Sequence, residues 1–498
     1  MTEAWYHVVV LGTDLAGLML AALAARRGYR VCVVGHGGRP SAYKREGHWL
    51  LREPERFLGF VTSPAVQRVF GELSLGHEMK NRPQAAEPTL QVVMPAPHKV
   101  RLDLSAERRS WERDLERELP GALPVFDAFD RRLAALTAAS DPAFRADAGG
   151  KGAQRHLRAA VENELREADR DLVRDYFGVD PRWRAVALAP LMHLAGVHTE
   201  PLHPFVTARL WTHLRAGLFR LPGGLDGLKA MFIRKLRDQS GDYRADAFAE
   251  GLVFRRGKAI AVNLAERGEA IGCEVVVGNT QPWHLANLIG APSGHDPHAL
   301  PEPVAWRIVV NLAVDPKLLP RGMATDVVLV GEGRPIWIAR PGVGPHAGGD
   351  GRPGPGVLQA VAIIDARGAA PTRDAIERAV LRTVDAVRGL LPWFDQHLKV
   401  IDCPALLPPA ASGADAADHG AHGIDRSAIG WIYGGAGKTV RATLGATVLD
   451  IETSHRNVLW TSDQAYAGLG FEGSCWAALQ ALDLVADMLP LRKKPSIL

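Results

Sequence analysis

Apolar residues run unbroken from Val8 to Leu11, and the next apolar set, Leu15, Leu18, Met19, Ala22 and Leu23, recurs every three or four positions. The first pattern predicts a strand covered on both faces and the second a helix, since buried strands carry continuous β-branched runs and helices repeat near 3.6 residues. Arg26 and Arg27 fall in the last turn of that helix, and Gly28 supplies its stop. Arg30 to Val34 returns as a second strand, so the chain opens as a βαβ unit. Residues 218–283 read as a Gly-Gly turn, an amphipathic helix, a short strand, a hairpin and an apolar strand ending at Asn279. Strand patterns recur in "WRIVVNLAV" and "VLQAVAIID", joined across the Gly/Pro-rich loop 341–356. A helix follows with Ile376, Val380, Val384, Val387 and Leu391 on one face. "AERRSWERDLEREL" at 106–119 and the segment 155–177 alternate charge at helical spacing, which predicts solvated faces held by (i, i+4) ion pairs.

Composition narrows the class. The 498 residues are 47% hydrophobic and 23% charged, enough for a large core and more than one domain. The net charge of +4 is spread along helices, with no basic run interleaved with aromatics, which argues against a nucleic-acid partner. Cys32, Cys273, Cys403 and Cys475 stand far apart without metal-site spacing, as expected of a reduced, cytoplasmic protein. The apolar run Leu15 to Ala25 is too short to span a bilayer, and neither a signal peptide nor a transmembrane helix is expected. An apolar entrance could rest on a membrane surface, although no basic amphipathic helix commits the chain to one. Oligomeric state is left open.

The candidate chemistry begins at the first turn. In a βαβ unit, G-x-G-x-x-G supplies one glycine for the turn, one for contact with a pyrophosphate and one for helix packing. Here those positions are Gly12, Asp14 and Gly17, with Leu15 and Ala16 opening the helix. Asp14 puts a carboxylate where free N–H groups would meet a phosphate, unless it merely caps the helix. The end of the second strand, where an acidic residue would hold ribose hydroxyls, is Gly35, followed by His36.

Together with "GGRPSAYKREGHWLL" at 37–51 and "NVLWTSDQAYAGLGFEGSCWAALQALDLVADML" near the C-terminus, this order resembles the phytoene desaturase and carotenoid isomerase branch of the flavin-dependent amine oxidase superfamily. The resemblance implies an α/β fold: a discontinuous Rossmann-like FAD/NAD(P)-binding domain (1–75, 218–285 and 425–498) with an inserted α+β substrate domain (76–217 and 286–424). It implies that Gly37, Gly38 and Arg39 approach the flavin and that Ala249 presents backbone to adenine. Gly223 and Gly224 match the family's Gly-Gly turn. Asp463 would bond the ribityl chain, and Gly468, Gly470, Phe471, Glu472 and Gly473 would form the turn facing the ring. Ser462 and Ala467 replace a glycine and a proline of the family signature.

Two functions follow from the resemblance. One is an FAD-dependent oxidoreductase of phytoene desaturase type, acting on a small apolar substrate such as a polyene or lipid. The other is a non-catalytic scaffold or lipid- or partner-binding protein that has lost flavin, because Asp14 and Gly35 spoil the ADP half of the site. No acid, base or nucleophile can be named, as suits a fold in which a flavin would carry the redox chemistry. "YGGAGKT" at 433–439 is not a phosphate loop, since the pattern needs glycine at Ile432. His193, His198, His203 and His213 match no zinc spacing. Trp183, Trp211, Trp283, Trp306 and Trp337 are candidates for a cavity wall or for plain core.

Overall fold

The computed structural model describes residues 4–145, 163, 170–196, 202–265, 268–290, 303–331, 333–342, 351–366, 371–407, 423–433 and 451–490. Its first sheet is assembled from distant stretches of chain. Ala4–Leu11 lies between Val31–Val34 and Ala270–Gly278, parallel to both, with Val8 opposite Val31 and Val275. Asp242–Arg244 adds a parallel strand outside Val31–Val34, and Val458–Trp460 another beside Val276–Gly278. The hairpin Ala249–Arg255 and Lys258–Leu264 completes the sheet antiparallel to Ala270–Gly278. Val8 to Leu11 are fully buried, as the continuous apolar run requires.

The Leu15–Arg26 helix is buried from Ala16 to Ala25, more completely than an amphipathic pattern asks for. It is covered by the sheet, by the closing helix Gly470–Met488 and by the helix Gly224–Asp238. Gly17 permits this, because a Cβ there would lie 2.3 Å from the Asn279 side chain. Asn279 donates to the Thr461 carbonyl (2.8 Å) and its own N–H bonds the Leu11 carbonyl (2.7 Å), so it ties three strand ends together. These carboxyl ends form the crevice where open α/β sheets hold their ligands.

The second sheet runs in the order Leu398–Asp402, Pro303–Val314, Val357–Asp365, Ile336–Ala339, Asp326–Leu329, Leu90–Met94 and Val100–Leu104. The two strand patterns pair antiparallel, Ala305 opposite Asp365 through to Ala313 opposite Val357, but the strands Asp326–Leu329 and Ile336–Ala339 come between them, so loop 341–356 alone does not join the pair as expected. The helix Arg373–Leu390 covers one face with Ile376, Val384 and Val387. Gly430–Tyr433 also joins this sheet, against Pro303–Arg307, although the expected boundary put it in the first domain. The charged segment 106–119 forms the helix Arg108–Glu118 with an (i, i+4) pair between Arg108 and Glu112. Of 155–177, residue 163 and residues 170–177 are described; the rest, together with 434–439 and His198, lies outside the described residues. The four cysteines are buried and free.

Gly17→Ala tests the close approach directly. Overpacking at this contact is expected to lower stability by about 1–3 kcal/mol, read as a lower urea midpoint without a change in slope.

Candidate functional site

Beyond the strand ends lies a cavity of about 240 Å³. Its lining includes Asp14 and Leu15 from the first turn, Arg52, Glu53, Pro54 and Arg56 to Leu58 from one loop, His193 and Leu194, Lys229, Arg307 and Val309, Ile429 to Trp431, and Asp463, Gly470 and Phe471. The N-terminal turn and the C-terminal turn therefore face one space. Of the residues singled out in the sequence, Asp14, Leu15, Asp463, Gly470 and Phe471 meet here.

Asp14 occupies the N-cap position of its helix, yet its side chain caps nothing. Burial pushes its pKa up to about 7, with Lys229 opposing and Glu53 and Asp463 adding to the rise. Asp463 is likewise raised, by burial and against the pull of Arg307. Burial works against the charge on Lys229, but Glu53, Asp14 and Asp226 outweigh it and hold the amine protonated. This end of the cavity is thus a compact acid–amine cluster at a helix N-terminus.

The other expected positions serve the protein itself. Gly12 takes a φ of +111°, and a Cβ there would sit 2.1 Å from the Asn279 carbonyl oxygen. Ala16 is core. At Gly35 a Cβ would lie 1.8 Å from the Ala245 carbonyl oxygen, so no acidic side chain can stand there. A Cβ at Gly38 would lie 2.3 Å from the Thr13 hydroxyl, so this loop also runs close against the first turn. Arg39 turns to Asp425 (2.7 Å). The Gly223–Gly224 turn opens a helix whose first N–H groups meet a resident carboxylate, Glu55, which accepts from Leu225 N–H (2.9 Å) and is clamped by Arg352.

Glu472, expected in the turn facing a flavin ring, is a correction. Its carboxylate points away from the cavity into a buried network: Ser63 Oγ donates to it (2.6 Å), Arg209 Nε donates (2.9 Å) and His213 Nε2 lies at 3.0 Å. Burial alone would raise its pKa, but Arg209 and His213 hold it well below the usual carboxylate range. Gly473 is required by the Tyr466 carbonyl, 2.2 Å from where a Cβ would be. Among the five tryptophans considered, Trp211, Trp306 and Trp337 are core and none of the five lines this cavity; Trp431 does.

His36 is the residue that sequence reasoning passed over. The Ala249 N–H, the group expected to meet adenine, donates instead to His36 Nδ1 (3.1 Å). The imidazole stacks on Phe248 (centroids 4.4 Å, 27° between planes) and leans on His284 at 4.5 Å. Burial, with His284 adding, lowers its pKa to about 4, so the ring is neutral and Nδ1 is free to accept. The only local cue was its place directly after Gly35.

No family model matches the chain, and no curated protein matches it. Solved structures do. The chain is similar to a putrescine oxidase (TM-score 0.57, 14% identity, 97% of this chain and 99% of that one). It is also similar to cyclohexylamine oxidase from Brevibacterium oxydans (TM-score 0.56, 13% identity, 98% and 100%). Rab GDI from Plasmodium falciparum matches as well (TM-score 0.53, 11% identity, 96% and 97%). The fold is the one these structures share. A Rossmann-like domain carries an inserted second domain, over nearly the whole chain. At such identities the likeness establishes architecture alone.

FAD is the cofactor this architecture implies, and the residues present do not fit it. The adenine contact is taken by His36, the ribose position has no room for an acid, and the phosphate position carries a carboxylate. Among the described residues no cluster could hold a metal ion, and no helix is long and apolar enough to cross a membrane.

Two outcomes follow. Because the folded state binds the Asp14 proton more tightly than the unfolded chain does, stability falls as pH rises from about 4 to about 7. Asp14→Asn should remove that loss, with a Tm at pH 8 higher than wild type and a flatter Tm–pH profile by differential scanning fluorimetry. Glu472→Gln leaves Arg209 buried without its main counter-charge and should cost about 3–5 kcal/mol by chemical denaturation.

Proposed function

We propose that this chain uses an oxidoreductase fold to bind a small ligand in the cavity beyond its strand ends, without FAD held in the dinucleotide manner. The observation that carries this reading is the bond from Ala249 N–H to His36 Nδ1. A buried N–H has one strong bond to give, and here it is given to the protein's own heterocycle. Adenine would have to expel an imidazole packed between Phe248 and His284. Phosphate binding at the first turn would face Asp14, which would have to keep its proton or set two anions side by side against the usual attraction of a helix N-terminus.

The lining also speaks to ligand class. Four cationic side chains, Arg52, Arg56, Lys229 and Arg307, and three acidic ones, Asp14, Glu53 and Asp463, surround the space. A bare hydrocarbon such as a polyene would leave these groups desolvated without partners, at a cost of several kcal/mol. A polar ligand with an apolar body suits Phe57, Val309, Trp431 and Phe471 alongside them. No phytoene desaturase activity is part of this reading.

The second reading, an FAD-dependent oxidoreductase, is favoured by one feature: the Asp14 turn and the Asp463–Gly470 turn line the same cavity. The visible spectrum separates the two. The purified protein should be colourless, and FAD at about 1 mM, enough to fill any site stronger than about −4 kcal/mol, should leave Tm unchanged. Flavin absorbance at one equivalent per chain would establish the second reading instead. His36→Ala should give measurable FAD or adenosine binding if the imidazole is the obstruction.

A further inference from the structure

We infer that the end of the cavity formed by Arg56, His193 and Arg307 is a site for the carboxylate of a small organic acid. This rests on the reading above, that the cavity takes a polar ligand, and names the group it recognises. The Arg56 guanidinium lies over the Trp337 ring, 4.4 Å from its centroid, and one nitrogen, Nη1, donates to the His193 carbonyl (3.1 Å). Its Nε and Nη2 are buried and have no partner. Arg307 faces the same cavity and has no hydrogen-bonded carboxylate among the described residues. His193 is 3% exposed; its Nε2 meets the Pro335 carbonyl (2.8 Å), so Nε2 carries the proton and Nδ1 offers a bare lone pair with no partner.

Buried donors without acceptors cost free energy, and the guanidinium fork of an arginine that lines a cavity matches a carboxylate geometrically. The surrounding charges do not supply that carboxylate. Asp326, the acid whose field reaches Arg56, is bonded to Arg220 and accepts from Trp337 Nε1 (2.9 Å). Asp14 and Glu53 surround Lys229. Asp463 is the acid nearest in effect to Arg307, and it is itself raised toward the neutral form. Burial and the neighbouring Arg307 lower the Arg56 pKa to about 9, the direction expected of a cation lacking its anion. Phe57, Leu194, Val309 and Phe471 provide an apolar wall for the rest of the ligand.

The probe is mandelate, which carries a carboxylate, a phenyl ring and a hydroxyl able to donate to His193 Nδ1; 1-phenylethanol is the same body without the acid. Isothermal titration of the full chain should show mandelate binding at least about tenfold tighter than 1-phenylethanol, the worth of one charge-assisted hydrogen bond. Arg56→Gln and, separately, Arg307→Gln should erase that preference while leaving 1-phenylethanol unchanged. The second variant covers the case in which loss of the Trp337 stack unfolds the first. Equal affinity for both probes, no mandelate binding, or an unchanged preference in a folded variant would overturn the inference. Should the protein prove to carry FAD, the reading on which this rests fails by its colour, and the same probes on the flavoprotein still decide whether Arg56 and Arg307 select a carboxylate.

Discussion

The buried pair of Arg209 and Glu472 fixes how the two ends of this fold meet. Arg209 is fully enclosed and its guanidinium lies over Phe144, 4.6 Å from the ring centroid, so its charge can persist there only with a carboxylate in bonding contact. Glu472 supplies that contact from the first turn of the closing helix, while His213 and Ser63 satisfy its remaining lone pairs. One consequence is orientation: with its carboxylate committed inward, the closing helix presents Gly470, Phe471 and Ser474 to the cavity and withholds its acid. The geometry of the C-terminal turn, and hence the shape of the site, depends on this network.

At the other end of the crevice the protein has satisfied its own recognition groups. The N–H of Ala249 and the N-terminus of the Gly224–Asp238 helix are each met by side chains of the chain itself. Because buried backbone donors must be paired, losing a nucleotide from such a site would leave orphans unless something replaced it. His36 and Glu55 pair two such donors by different chemistry, a neutral ring nitrogen in one case and a carboxylate locked by Arg352 in the other.

Much of the architecture was legible because it is periodic. The βαβ opening, the hairpin ahead of Asn279, the strands Pro303–Val314 and Val357–Asp365 and the closing helix all follow from local spacing. Glycines were legible as close-approach positions, but not what approaches: Gly12 and Gly17 accommodate Asn279, and Gly35 accommodates Ala245, none of which is near in sequence. The site was harder for the same reason. His36 and Ala249 are 213 residues apart, Arg56 and His193 are 137, and Arg209 and Glu472 are 263. Single polar residues in apolar surroundings carry no period that would announce such partners.

Gly35 also sets a limit on substitution. With the Ala245 carbonyl pressed against it, the second strand and its neighbour have closed to a spacing that only a missing side chain allows. An acidic side chain could not be accommodated at Gly35 unless the adjoining strand first withdrew.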